Sequence, residues 1–182
     1  MQEIVLPDDV KPALEWVNNR ILQKMSPARK HALAQGRSYA ALDAWARERG
    51  AGTVGTEWRF QVAPPGEIGR SLVPDVGFLS YSRMPFDEQE LTDAPAIAPD
   101  AVVEVLSLGD READVEEKLR VYLAAGTNVV FSVDTSARTV EVRDALDRRV
   151  VGDGEFVEHR SLPGLRFAVR ELFDAPRPRR SS

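Results

Sequence analysis

Glu104 is a carboxylate in the middle of an apolar stretch, residues 98–107, with the sequence APDAVVEVLS. The valines and the leucine around Glu104 are typical of a buried β-strand. An ionised carboxylate in a protein interior is costly unless a cation or hydrogen-bond donors stabilise it. The sequence therefore predicts that Glu104 has a charged partner or binds an ion.

Two aspartates upstream, each preceded by a proline, are candidates to share that ion. Asp100 lies on the same predicted strand as Glu104, and four residues separate their backbones by about 13 Å. Asp75 lies on the preceding predicted strand, and neighbouring strands would bring its carboxylate beside that of Glu104. Asp75 is therefore the better candidate partner.

Lys118 follows in a segment whose apolar residues recur at helical spacing. It lies at the edge of this stripe, so its ammonium group could reach Glu104 along the sheet while its aliphatic stem stays buried. Two carboxylates can hold Mg²⁺ or Mn²⁺, which polarises a phosphoryl oxygen and lowers the pKa of a bound water. A lysine can orient that water or stabilise charge on the phosphate. The three residues together predict metal-dependent hydrolysis of phosphodiesters.

The elements that position these residues are predicted from periodicity, glycines and prolines. Helices are expected at residues 12–24, 28–49 and about 108–126, with Asp110 as the N-cap of the third. Strands are expected at residues 53–62, 72–80, 101–106, 128–134, 139–144, 148–151 and 154–159. The strand–helix–strand order around Glu104 and Lys118 is typical of a parallel crossover, within a mixed sheet covered by helices.

Several segments resemble the Uma-two family of restriction endonucleases, placed in the PD-(D/E)XK nuclease superfamily. They are LVPDVGFLS, PDAVVEVLSLGDREADVEEKLRVYLAAG and VVFSVD, supported by HALAQG, VGTEWRF and PGLRFAVRELF. The resemblance covers nearly the whole chain. It implies an α/β, restriction-endonuclease-like mixed β-sheet flanked by helices, and a nucleic-acid substrate, most favourably DNA.

The resemblance also assigns roles to residues of this chain. Asp75 matches the motif aspartate and Glu104 the motif glutamate, and the two would bind Mg²⁺ or Mn²⁺ with the backbone carbonyl of Val105. The motif lysine belongs two residues after Glu104, where this chain has Leu106. Lys118 is expected to replace it from the following helix. A homodimer is a further expectation, because enzymes that cut both strands often work in pairs.

Composition limits the other possibilities. The 182 residues fit one domain, expected over residues 1–175, with a loose basic tail at 176–182. There is no cysteine and there are two histidines, which argues against a zinc site and favours a hard cation. No signal peptide or membrane-spanning stretch is expected, and a cytoplasmic location fits. The net charge of −5 argues mildly against a nucleic-acid coat protein but not against a nuclease.

Three residues are secondary candidates near the site: Glu57, Gln35 and Tyr122. His31 is expected to be a hydrogen-bonded helix residue and not a base or ligand. The structural alternative for Glu104 is a salt bridge to Lys118 or an arginine. Two other functions stay open: a non-catalytic binding or assembly protein with the nuclease fold, and a glycoside hydrolase that uses two carboxyl groups without metal.

Overall fold

The computed structural model describes residues 3–7, 10–24 and 28–174. The helices are α1 (Arg29–Arg49), α2 (Phe86–Gln89) and α3 (Glu112–Ala124), and a 3₁₀ turn covers Val169–Leu172. The strands are β1 (Glu3–Ile4), β2 (Leu14–Val17), β3 (Arg20–Gln23), β4 (Gly52–Thr56), β5 (Phe60–Val62), β6 (Gly69–Leu72), β7 (Val76–Ser80), β8 (Ala101–Leu106), β9 (Val129–Asp134), β10 (Thr139–Arg143), β11 (Arg148–Val151), β12 (Phe156–Val157) and β13 (Phe167–Ala168). Within these ranges, no helix combines the length and apolar character needed to cross a membrane.

A six-stranded mixed sheet in the order β11-β10-β9-β8-β7-β4 forms the centre of the fold. Among the strands of this sheet, β8 and β9 are the one parallel pair, and α3 connects them. These two strands lie in the middle of the sheet and are almost wholly apolar, as expected for strands covered on both faces. The predicted mixed α/β fold and the strand–helix–strand unit are therefore confirmed.

The two faces of the sheet pack in separate apolar clusters. Leu42 and Trp45 of α1 pack in one cluster with Val103 of β8. On the other face, Leu119 of α3 packs in a cluster with Val102 of β8. Because side chains alternate along a strand, Glu104 lies on the same face as Val102, which is the face covered by α3.

The predicted first helix, residues 12–24, is wrong. This segment forms the antiparallel hairpin β2–β3, closed by Asn18 and Asn19 with φ angles of 47° and 58°. Two consecutive residues with positive φ are the signature of the tight turn that suits a hairpin, and asparagine tolerates this conformation. In β2 the burial alternates, with Glu15 and Val17 buried, which a helix would not give.

Two predicted strands are each divided. Residues 53–62 become β4 and β5, which lie in different sheets. Residues 72–80 contribute the end of β6 and all of β7, and Pro74, which has no N–H to donate to a ladder, lies between them. The last predicted strand, 154–159, is reduced to the two residues of β12. As a result Asp75 immediately precedes β7.

Asp110 is not the N-cap of α3, contrary to prediction. Arg111 occupies that position, without a capping hydrogen bond from its side chain. The Oδ2 atom of Asp110 instead accepts a hydrogen bond from the backbone N–H of Ser107, at 2.7 Å. The tail predicted at residues 176–182 lies outside the described residues.

Gly77 of β7 offers a test of how tightly the strand beside Asp75 is packed. A Cβ atom at Gly77 would lie 2.8 Å from Cε2 of Phe60, whose side chain is fully buried. Gly77→Ala is expected to lower the free energy of unfolding by about 1–3 kcal/mol through overpacking. Gly36→Ala is the matched control: Gly36 is an exposed residue of α1 with nothing within 4 Å of an added Cβ. It should stabilise by up to about 1 kcal/mol through helix propensity. Urea unfolding of both variants checks this, and equal effects would contradict it.

Candidate active site

Asp75, immediately before β7, lies opposite Glu104 of the neighbouring strand β8. In the antiparallel pair β7–β8, Val76 is opposite Val103, and extending this register by one residue places Asp75 opposite Glu104. The backbone N–H of Val105 donates a hydrogen bond to Oδ2 of Asp75 at 2.7 Å. Asp75 and Glu104 are only 2% and 7% exposed. The sequence-based pairing of these two carboxylates therefore agrees with their placement.

Lys118 reaches this site from α3. Its Nζ atom lies 2.7 Å from Oε2 of Glu104 and 3.1 Å from Oε1 of Glu15. Burial alone would lower the pKa of Lys118, but the negative charges, those of Glu104 and Glu15 first, outweigh it and raise this pKa above its usual range. The ammonium group is thus permanently charged and held between two carboxylates.

The N-terminal hairpin supplies two residues that sequence reasoning missed. Lys24 lies just after β3, and its Nζ atom is 2.6 Å from Oδ1 of Asp75 and 3.0 Å from the carbonyl oxygen of Val73. Glu15 of β2 accepts a hydrogen bond from the backbone N–H of Val73 at 2.8 Å. Because residues 12–24 were predicted to form a helix, neither residue was expected at the site. Reading β2 as a strand would have placed Glu15 on the same face as the buried Val17.

His31 was set aside as a hydrogen-bonded helix residue, and it lies at the site. Its Nε2 atom is 3.4 Å from Oδ2 of Asp75, and its side chain is 12% exposed. His31 is in the first turn of α1, on the side that meets Asp75. Nothing in its local sequence distinguishes it from an ordinary helix residue.

The three secondary candidates differ in how closely their side chains contact the site. Gln35 of α1 donates a hydrogen bond from Nε2 to the carbonyl oxygen of Asp75 at 3.0 Å. Tyr122 of α3 is fully buried, and burial, followed by the negative charge of Glu104, raises the pKa of its hydroxyl well above its usual value. The side chain of Glu57 is exposed, and only its backbone N–H meets Asp75, at 3.3 Å from the carbonyl oxygen.

The two carboxyl groups have pKa values displaced in opposite directions. Burial raises the pKa of Glu104 to about 7, and the charge of Asp75 adds to this against the opposing effect of Lys118. Burial also acts to raise the pKa of Asp75, but the hydrogen bond from His31 and the charges of Lys24 and Lys118 together hold it below its usual range. Asp75 therefore keeps its charge, whereas Glu104 can gain or lose a proton near neutral pH.

A small cavity of about 110 Å³ is lined by all of these side chains: Glu15, Lys24, His31, Asp75, Glu104 and Lys118. Val105 and Leu106 of β8 also line it. A larger cavity of about 540 Å³ is lined by Val142 of β10, Asp144 and His159. The small cavity is the better candidate site, because the carboxylates whose pKa values are most perturbed converge on it.

The oxygen atoms at the site fit a hard divalent cation. Oε1 of Glu104 is buried and has no hydrogen-bond partner among the described residues, so it is available as a ligand. The N–H and C=O groups of a strand residue point to the same edge, so the carbonyl of Val105 faces the Asp75 side. Within the described ranges no group of three or more His, Cys, Asp or Glu residues is arranged to hold a metal. An ion here would therefore keep several waters, as Mg²⁺ commonly does.

Comparison with known proteins gives a match to a family model and matches to solved structures. A family model named Uma2, with the description "Putative restriction endonuclease", matches residues 3–170. A solved structure described as a "putative nuclease belonging to DUF820" from Anabaena variabilis ATCC 29413 is 27% identical in sequence, with a TM-score of 0.80. The alignment covers 92% of this chain and 93% of that chain. No match was found among the curated proteins.

Proposed function

The chain belongs to the Uma2 family, described as restriction endonucleases, and from this premise we propose that it is a metal-dependent nuclease. It hydrolyses phosphodiester bonds in nucleic acid, most favourably DNA. The observation that carries the proposal is the convergence of Asp75, Glu104 and Lys118 on one small cavity. This combination supplies both the ligands for a cation and a fixed positive charge for a phosphate.

Each residue has a distinct role in this proposal. Asp75, Glu104 and the carbonyl of Val105 would hold Mg²⁺ or Mn²⁺, because these ions prefer hard oxygen ligands. The ion, when bound, polarises a phosphoryl oxygen and makes a bound water more acidic. Lys118, kept protonated by its two carboxylates, orients the attacking water or stabilises the charge that develops on the phosphate.

The hydrogen bonds around Asp75 keep this arrangement in place. The N–H of Val105 orients the carboxylate from the adjacent strand, and Gln35 fixes the backbone of Asp75 from α1. Such surrounding contacts matter because a displaced ligand or base reduces catalysis strongly. A homodimer stays a prediction of the same proposal.

The alternative is a binding or assembly protein that keeps the nuclease fold without cleaving. One observation favours it: both oxygens of Asp75 already have partners, Lys24 on Oδ1 and the N–H of Val105 on Oδ2. If Lys24 never leaves, Asp75 is a structural ion-pair residue and the site does not hold metal. Metal binding therefore separates the two functions without knowledge of the substrate.

The test is thermal unfolding with and without millimolar Mn²⁺, for the wild type, Asp75→Asn and Glu104→Gln. A ligand that binds only the folded protein raises its melting temperature by mass action. The expected result is that Mn²⁺ stabilises the wild type and neither variant. Plasmid DNA, single-stranded DNA and RNA are then assayed for cleavage with Mn²⁺ or EDTA. A wild type that Mn²⁺ does not stabilise would overturn the proposal and favour the binding protein.

A further inference from the structure

The ammonium group of Lys24 contacts Oδ1 of Asp75, an oxygen atom that the proposed function requires as a metal ligand. Its ammonium group donates hydrogen bonds to Oδ1 of Asp75 and to the carbonyl of Val73, and its side chain is 13% exposed at the cavity. A divalent cation and an ammonium group on the same carboxylate oxygen would repel each other strongly at this distance. Asp75 therefore cannot bind metal through Oδ1 while Lys24 remains in place.

The other oxygen of Asp75 is not a substitute. Oδ2 accepts the hydrogen bond from the backbone of Val105, within the ladder of the central sheet, and it also faces His31. Freeing Oδ2 would leave a buried N–H group without a partner, which is costly. Lys24, by contrast, is a flexible side chain just beyond the end of a hairpin, and its movement breaks no strand pairing.

Lys118 is held more firmly than Lys24. Lys118 contacts two carboxylates, Glu104 and Glu15, whereas Lys24 contacts one carboxylate and one neutral carbonyl. When Glu104 is ionised, the three carboxylates exceed the two lysines by one negative charge, so a divalent ion adds one positive charge more than is needed to neutralise them. The excess positive charge is available for an anionic substrate.

We propose that Lys24 is a displaceable counter-ion of Asp75, which leaves Oδ1 when a divalent cation binds and then contacts the phosphate of the substrate. This inference rests on the proposed nuclease function and adds a residue to it. In the metal-free protein, Lys24 prevents repulsion between Asp75 and Glu104. In the metal-bound protein, its ammonium group is a second positive charge for the phosphate beside that of Lys118.

Metal affinity tests the competition directly. Mn²⁺ binding is measured by isothermal titration for the wild type, Lys24→Met and Lys30→Met. Lys30 is an exposed residue of α1 and serves as the matched control. We expect Lys24→Met to bind Mn²⁺ about tenfold more tightly, because the competing ammonium group is removed, and Lys30→Met to be unchanged. Unchanged or weaker binding by Lys24→Met would overturn the inference. Lys24→Gln is the second variant if Lys24→Met does not fold.

The displacement itself is followed in the wild type by labelling with an amine-reactive reagent and mass spectrometry. The chain has four lysines, of which Lys11 and Lys30 are exposed. Saturating Mn²⁺ should raise the labelling of Lys24 severalfold and leave Lys118 protected, with the exposed lysines as internal standards. A protein that binds Mn²⁺ while Lys24 stays protected would overturn this inference and keep the proposed function. Absence of Mn²⁺ binding to both the wild type and Lys24→Met would overturn both.

Discussion

Lys118→Met should lower the free energy of unfolding by about 3 kcal/mol at pH 8, because it removes the cation from a buried carboxylate. Methionine keeps most of the volume of the lysine stem, so the change in packing is small. Glu104, which is 7% exposed, would lose the positive charge that lowers its pKa, so it would stay buried either as an ion beside Asp75 or by taking up a proton, which costs more free energy at pH 8 than at pH 5.5. The destabilisation should be smaller at pH 5.5, where Glu104 can take up a proton and become neutral.

Urea unfolding at the two pH values measures this effect, and a double variant identifies its cause. Lys118→Met combined with Glu104→Gln removes both charges and should recover most of the lost stability at pH 8. Lys30→Met, at an exposed lysine, should change the stability by less than about 0.5 kcal/mol. If the double variant is as unstable as Lys118→Met alone, the loss comes from packing or from Glu15, which also loses its contact with Lys118, and not from the charge of Glu104.

The central part of the site could be predicted from the sequence because its signals are local. An apolar run with one carboxylate predicted β8, and helical spacing after it predicted α3. Together, the predicted strand and helix indicated the face of the sheet on which Glu104 and Lys118 meet. The displaced lysine also has a geometric explanation, since Leu106 lies two residues after Glu104 and thus on the same face of the strand. The ammonium group comes to that face from α3 instead.

The N-terminal half of the site could not be predicted, because its contacts join distant parts of the chain. Lys24 and Asp75 are 51 residues apart, and Glu15 and Val73 are 58 apart. No periodicity within either segment shows that they meet. A local signal for the hairpin did exist in the consecutive Asn18 and Asn19, which favour a tight turn between strands. The apolar residues around these asparagines also fit one face of a helix, which is why the sequence predicts a helix there.

The strand boundaries were missed for a related reason. Periodicity shows that residues 72–80 are extended, but it does not show that they belong to two sheets. Pro74 marks the break, because it cannot take part in a central ladder. The consequence matters for function: Asp75 lies immediately before β7, where its side chain accepts a hydrogen bond from the N–H of Val105. The side chain of an aspartate in the middle of β7 would project from a face of the sheet and would not reach this N–H group.

Glu104→Gln is expected to abolish cleavage while it makes the protein less sensitive to pH. Loss of a direct metal ligand should reduce the cleavage rate by more than about 100-fold, since changes to residues around a metal site already cost 10- to 100-fold. The cleavage assay with Mn²⁺ on a substrate of the wild type measures this loss. A variant that cleaves normally would show that Glu104 is not a ligand.

Above neutral pH, Glu104→Gln is expected to raise the stability of the fold, although it abolishes cleavage. Burial raises the pKa of Glu104 from 4.5 to about 7, so the folded protein binds more protons than the unfolded chain between these values. The stability that Glu104 contributes is therefore fully present below about pH 4.5 and is lost as the pH rises through 7, by about 3 kcal/mol.

Asp75 adds no slope in this window, because its lowered pKa leaves it ionised in both states. Urea unfolding from pH 5 to 8 should thus show Glu104→Gln gaining stability relative to the wild type as the pH rises, and parallel profiles would contradict the raised pKa. A residue whose replacement stabilises the fold but removes cleavage is retained for chemistry, which a purely structural Glu104–Lys118 salt bridge would not explain.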